Sequence, residues 1–398
     1  MSDVGEIRSD PRAVGLVLSG GGARGAYQVG VLRGVLNVLS RAGRLLPDAP
    51  SPFKVFAGTS AGALNAAALA CRADRFEVGL SVLEDVWNQF RAEQVYEADA
   101  LSVFSSGARW LSALSFGWMM TRRHRIRPRS LLNNAPLARL AAATVDVPRI
   151  SRMLDQGHTQ ALAVSAFSYT AGQHVCFYQA GFDAPAWTRS QRIAVPAQIG
   201  IDHLIASSAI PFVFPSHPLM LHGRKEFFGD GAMRQGAPIS PAIHLGAERV
   251  LIIGAGRMLE PQLSSLAPAV YPTMAVIAGH AMSSIFLDTL AADIERLRRI
   301  NNTVSLLSPE QRQRSSLRPV EALVIAPSER LDEIAARHTN SLPAPVRGLL
   351  RTMGADEARG GALASYLLFE ASYTRELMAL GQHDATVQRD EILRFFDV

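Results

Sequence analysis

Cysteine is nearly absent, with only Cys71 and Cys176 in 398 residues, each in an apolar context. Two such thiols make no disulfide framework, so nothing demands an oxidising compartment and both read as core residues. Charged residues are sparse at 19%, against 48% hydrophobic, which describes a globular protein with enough chain for a sizeable core. There is no His-Glu-x-x-His pattern and no closely spaced Cys/His cluster, so neither a metal nor a cofactor is expected. Internal repeats and low-complexity tracts are also missing. The start, Met1-Ser2-Asp3-Val4-Gly5-Glu6, carries acids and no apolar run, so the expected location is cytoplasmic. Pro261 to Leu287 contains no Asp, Glu, Lys or Arg, but Pro268 and Pro272 interrupt it. The 15 residues left, Thr273 to Leu287, fall short of the roughly 20 that span a bilayer, and predict a buried or surface-seeking helix.

The net charge of +5 is locally concentrated, with five arginines between Arg122 and Arg129. No zinc-finger spacing, recognition-helix pattern or aromatic-basic interleaving accompanies them, which argues against nucleic acid. Trp110, Leu111, Leu114, Phe116, Trp118, Met119 and Met120 precede the run. Apolar side chains followed directly by cations suit shallow insertion with guanidiniums on headgroups, so Arg122, Arg123 and Arg125 are candidate contacts to an anionic membrane surface. A packed cap or a homo-oligomer interface explains segment 101–130 equally well.

The chemistry begins at Gly58-Thr59-Ser60-Ala61-Gly62. It follows the short strand-like run Phe53 to Ala57 and precedes the helix-compatible Ala63 to Leu69. Strand, serine between glycines, then helix is the context in which Gly-x-Ser-x-Gly becomes a nucleophile elbow. Upstream, a strand over Ala13 to Ser19 runs into Gly20-Gly21-Gly22-Ala23-Arg24-Gly25 and then a helix through Leu39. These glycines also match a dinucleotide fingerprint, but that fold expects an acid at the end of the next strand, and here that strand ends in Gly58-Thr59-Ser60. The glycine turn is therefore read as an oxyanion hole, with Gly21 and Gly22 as donors and Arg24 ordering the loop or meeting a phosphate.

A serine needs a base. Phe227-Phe228-Gly229-Asp230-Gly231-Ala232 offers one: two aromatics bury a short strand and an acid emerges between glycines. Burial beside Phe227 and Phe228 would raise its pKa toward a useful range. His203, His222, His244 and His280 are the rival bases in a three-member arrangement. His203 and His280 lie in apolar helical stretches that suit packing. Asp230 is the preferred partner, with no catalytic histidine required.

These residues resemble the patatin-like phospholipases. The resemblance rests on Gly20 to Gly25, Gly58 to Gly62, Ala206-Ser207-Ser208-Ala209-Ile210-Pro211 and Asp230-Gly231-Ala232, in the family's order, over about residues 13 to 255. It implies Ser60 as nucleophile, Asp230 as its single partner, and the Gly20 to Gly25 loop as oxyanion hole. Gly20, Gly25, Gly58, Gly62 and Gly231 then serve as structural motif positions. Asp-Gly-Ala stands where Asp-Gly-Gly is also usual. The implied fold is an α/β three-layer sandwich with a mainly parallel central sheet, here with a helical C-terminal extension. The implied reaction is hydrolysis of fatty-acyl esters of phospholipids or lysophospholipids. The expected organisation is an N-terminal arm over 1–12, a catalytic domain over 13–255 and a mostly helical extension over 256–398 packed on it. A lipid acyltransferase using the same acyl-enzyme and a non-enzymatic lipid-binding protein are the alternatives.

Overall fold

The computed structural model describes residues 13–97, 130–256, 271–315, 317–352, 354 and 361–396. The expected N-terminal arm, the arginine run with Arg122, Arg123 and Arg125, and the cap segment 101–130 except for Ser130 lie outside the described residues.

Ten strands form one sheet. They are β1 (Val14–Leu18), β2 (Val55–Thr59), β3 (Ala161–Ser168), β4 (Gln173–Ala180), β5 (Thr188–Arg189), β6 (Arg192–Pro196), β7 (His217–Leu221), β8 (Arg224–Asp230), β9 (Arg249–Ile253) and β10 (Glu321–Ile325). Their order is β10-β9-β1-β2-β3-β4-β6-β5, with β8 on β3 and β7 on β8. From β10 to β3 every pairing is parallel. The Thr170-Ala171-Gly172 turn makes β3 and β4 the antiparallel hairpin that its sequence predicts.

Strands β1 and β2 are buried along their whole length, and β9 nearly so, which requires cover on both faces of the sheet. Alternate side chains supply two cores, as the period of two along a strand dictates. Leu16, Leu18, Phe56, Leu162, Val164 and Leu251 lie in one; Val17, Val55, Ala57, Ala163, Val250 and Ile252 lie in the other. Helices α1 (Gly25–Arg41), α2 (Ala61–Ala70) and α3 (Phe76–Asn88) supply the first layer. The Ser240–His244 helix and Leu290, Ile294 and Leu297 of the Thr289–Ser305 helix cover the second. The three-layer α/β sandwich expected from the motifs is the observed fold.

The C-terminal region enters the sheet as well as packing on it. It supplies β10 as an edge strand, and its Ala371–Val387 helix lies directly on α1. The two backbones approach closely through glycines: a β-carbon on Gly30 would stand 2.0 Å from the carbonyl oxygen of Met378, and one on Gly381 2.3 Å from that of Tyr27. A buried polar clasp reinforces the contact. The Tyr27 hydroxyl donates to Asp384 at 2.8 Å, and the amide and hydroxyl of Ser328 donate to the same carboxylate at 3.0 and 2.6 Å. Burial and this neighbouring carboxylate push the Tyr27 pKa far up.

The helix expected over Thr273 to Leu287 continues beyond it. Met274–Ser283 continues through a π-turn at Ser284–Asp288 into Thr289–Ser305, making 32 continuous residues. By length and composition it is the one helix among the described residues that could cross a membrane. Pro268 and Pro272 precede this helix, and nothing between Thr273 and Ser305 lacks a backbone donor, so the apolar and charged halves join.

Candidate active site

Parallel strands β1 and β2 end side by side, with Leu18 paired to Gly58, and both motifs leave the sheet at those carboxyl ends. Crevices there are where open parallel sheets bind ligands. Beyond β2, Ser60 sits at φ 55 and ψ −129. Such a backbone costs a non-glycine residue roughly 1–3 kcal/mol and persists only when its surroundings fix it. Here the turn is closed tightly, because a β-carbon on Gly58 would stand 2.4 Å from the carbonyl oxygen of Gly62, and one on Gly62 2.3 Å from that of Leu18. The amides of Ala63 and Leu64 donate back to the Ser60 carbonyl at 2.9 and 3.3 Å, so α2 begins under the serine and presents its positive end there.

Asp230 closes β8 and is fully buried. Its Oδ1 accepts from the Ala232 amide at 2.9 Å. Burial raises the pKa from 3.8 to about 7, with the Ser60 hydroxyl first and the Ala232 amide second in holding that rise in check. Ser60 and Asp230 are thus neighbours, yet their contact falls short of full hydrogen-bond geometry and Oδ2 has no formal partner. Catalytic contacts are commonly loose before substrate arrives. Of the two aromatics expected to enclose the acid, Phe228 is fully buried; Phe227 is 46% exposed, with the Lys225 ammonium over its ring. Alternation along β8 sends neighbouring side chains to opposite faces, so the pair could not both be buried against one core.

One short segment ties the two halves together. Ser207 Oγ accepts from the Ser60 amide at 2.9 Å, the Ser207 carbonyl accepts from Gly231 at 3.2 Å, and the Ala209 carbonyl accepts from Asp230 at 2.9 Å. The sequence marks Ala206 to Pro211 only by family likeness; the role of Ser207 as a bridge emerges from long-range contacts. Behind the serine, Gln235 Nε2 donates to Thr59 Oγ1 at 2.7 Å and reaches Ser165 Oγ at 3.3 Å, another connection without a motif.

The glycine turn lies beside this pair. A β-carbon on Gly20 would stand 3.3 Å from Cβ of Ser60, and Gly22 adopts φ 55. Among the described residues, the amides of Gly20, Gly21 and Gly22 have no hydrogen-bond acceptor. Gly25 lets α1 approach α2: its β-carbon would stand 2.9 Å from Cβ of Ala61. Arg24 is 3% exposed, and its amide donates to Gly21 at 3.1 Å while its guanidinium points into the C-terminal region. That engagement favours ordering of the loop over contact with a substrate.

The four candidate histidines stand apart from the pair. His203 Nδ1 accepts from the Gly200 amide at 3.1 Å, and His244 meets the Trp187 ring edge-on at 4.6 Å. His222 occupies a turn at φ 49. His280 is exposed, contrary to the packing role its apolar helix suggests. His174, which no sequence motif singles out, is buried against the Gly231 backbone, and burial lowers its pKa to about 4. That holds it neutral and makes it a weak base.

Ser60 opens on an apolar cleft that is partly open to solvent. Leu64, Val86, Trp87, Phe90, Leu140 and Phe214 line it, with Gly22 and Ser208 near the serine end. Asn65, its most polar wall residue, is saturated: its amide donates to the Gly25 carbonyl and Gln28 Oε1, and its oxygen accepts from Trp87 Nε1. A cleft with such walls takes an apolar chain and offers nothing to a charged one.

A strained serine beside a buried carboxyl at the mouth of an apolar cleft is an arrangement suited to ester cleavage. A family model described as patatin-like phospholipase matches residues 16–243, more than half the chain, and the chain belongs to that family, a class of lipid acyl hydrolases. Among solved structures it is similar to VipD from Legionella pneumophila, at 14% identity and a TM-score of 0.32 over 93% of this chain and 67% of that one. It is also similar to human GIVD cytosolic phospholipase A2, at 13% identity and a TM-score of 0.41 over 97% of this chain. The chain spans 59% of the length of that human enzyme. No curated protein matches it.

Proposed function

We propose that this protein cleaves fatty-acyl esters of phospholipids or lysophospholipids through an acyl-enzyme on Ser60. In the first half-reaction Asp230 accepts the hydroxyl proton as Ser60 Oγ attacks the ester carbonyl, and Gly21 and Gly22 amides receive the negative oxygen. Asp230 then returns the proton to the departing lysolipid or glycerol oxygen as the ester C–O bond breaks. In the second half it takes a proton from water, whose oxygen attacks the acyl carbonyl. Collapse frees the fatty acid, and the proton goes back to Ser60. A single observation supports this chemistry above the others: the strained Ser60 lies beside a carboxyl whose pKa of about 7 suits a base at neutral pH, at the head of an apolar cleft.

The test uses purified protein on p-nitrophenyl esters from acetyl to palmitoyl and on phosphatidylcholine and lysophosphatidylcholine vesicles, with free fatty acid quantified. Rates should rise with chain length up to the capacity of the cleft, with fatty acid released from at least one lipid. Fastest turnover on the acetyl ester, with no fatty acid from either lipid, would exclude a lipid substrate.

A further inference from the structure

Residues beyond the family match reach the glycine turn. Ser365 Oγ accepts from Arg24 Nε at 2.9 Å and Nη2 at 2.7 Å, and the Arg24 guanidinium lies 4.2 Å from the centre of the Tyr366 ring. Arg24 Nη1 also reaches the Ala255 carbonyl at 3.4 Å. Tyr366 stacks on Phe286 at 5.1 Å, and Phe286 in turn borders the active turn: a β-carbon on Gly20 would stand 2.9 Å from its Cδ1. The Tyr366 carbonyl covers Gly22, where a β-carbon would stand 2.3 Å from its oxygen. Phe286 projects from the π-turn, an irregularity that frequently marks functional positions in helices.

We infer that Ser365 and Tyr366 are positioning residues for the oxyanion turn, so that the C-terminal region completes the catalytic site. This rests on the proposed role of the Gly20 to Gly22 amides. A turn of three successive glycines has no side chains to hold its own shape and loses much conformational freedom when fixed. Its one anchored side chain is that of Arg24, and among the described residues this buried guanidinium has no salt-bridge partner; a hydroxyl, a carbonyl and an aromatic face receive it instead. Those are neutral partners. They fix the cation in place, while the Asp332 carboxylate acts on it from beyond salt-bridge distance. Without Ser365 or the Tyr366 ring, the guanidinium would be released toward solvent and the turn with it.

The experiment compares Ser365→Ala, Tyr366→Leu and Tyr366→Phe with the wild type and Ser60→Ala. Enzyme concentration is set by fluorophosphonate titration, and kcat and KM are measured on p-nitrophenyl butyrate. Misplacing a catalytic group by about 1 Å can cost about a hundredfold. The expected result is a kcat per titrated site at least about tenfold lower in S365A and Y366L, with KM within about twofold. Y366F keeps the ring and should match the wild type. Melting curves accompany each variant, because a merely structural role would lower the titrated fraction and the melting midpoint while leaving kcat per site intact. That outcome overturns the inference, as does a Y366F variant as slow as Y366L. Turnover persisting in S60A defeats the nucleophile assignment itself, a failure visible separately from the other variants.

Discussion

Ser60→Ala should reduce turnover of every ester by about 10⁴-fold or more, the scale on which nucleophile removal acts in serine hydrolases. Stability should barely change. Alanine bears the same penalty at φ 55 as serine, and the Ser60 amide keeps its bond to Ser207 Oγ. The substitution has one electrostatic consequence. The Ser60 hydroxyl is the largest influence holding down the Asp230 pKa, so its loss should move that group further above about 7. The check is steady-state turnover together with a thermal melt: an S60A protein that retains more than about a tenth of wild-type activity would remove the serine from the mechanism.

Asp230→Asn should do two opposite things. Turnover should fall by about 10³-fold or more, since an amide accepts no proton from the serine. Stability at pH 8 should rise. The carboxyl has a folded pKa of about 7 against 3.8, so the folded chain binds a proton that the unfolded chain has already lost between those values. The stability belonging to the neutral form is fully present below pH 3.8 and is gone once pH passes about 7. A difference of that size corresponds to roughly 4 kcal/mol, and asparagine, neutral throughout, avoids that loss. D230N should therefore melt a few degrees above wild type at pH 8, with the gap closing toward about pH 4. In the wild type, kcat/KM should increase as pH passes through about 7 and the base ionises. A D230N protein that is both inactive and less stable at pH 8 would mean that burying the ionised carboxylate costs less than the contacts an amide disrupts.

This gain of stability on loss of function is expected of residues selected for chemistry and not for folding. The same tension appears at Ser60, whose backbone strain is sustained by the close approach of Gly58, Gly62 and Leu18. Strain and a buried acid lie on adjacent elements and are clamped by one segment, Ser207 to Ala209.

Much of this is legible in the chain because it is local. Strand, glycine turn and helix at the N-terminus, the elbow at Ser60, the β3 to β4 hairpin and the acid after β8 are each specified within about ten residues, where periodicity and turn chemistry act. What cannot be read there depends on residues distant in sequence. An arginine at a helix start is ordinarily a solvated cation, yet Arg24 is buried by Ser365 and Tyr366, 341 positions away in the case of Ser365. Ser207 lies 147 positions from the amide it accepts from. Phe227 reads as core because aromatics often are, but the pleat of β8 directs it outward. In the 32-residue helix the composition changes from apolar to charged, and that change does not interrupt the helix.

The central claim is that Ser60 Oγ is the atom acylated. Wild-type protein treated with a long-chain fluorophosphonate and digested should show one modified peptide, with the label on Ser60, and labelling should accelerate as pH rises through about 7. Modification of another residue, or full hydrolytic activity in protein already labelled at Ser60, would contradict it.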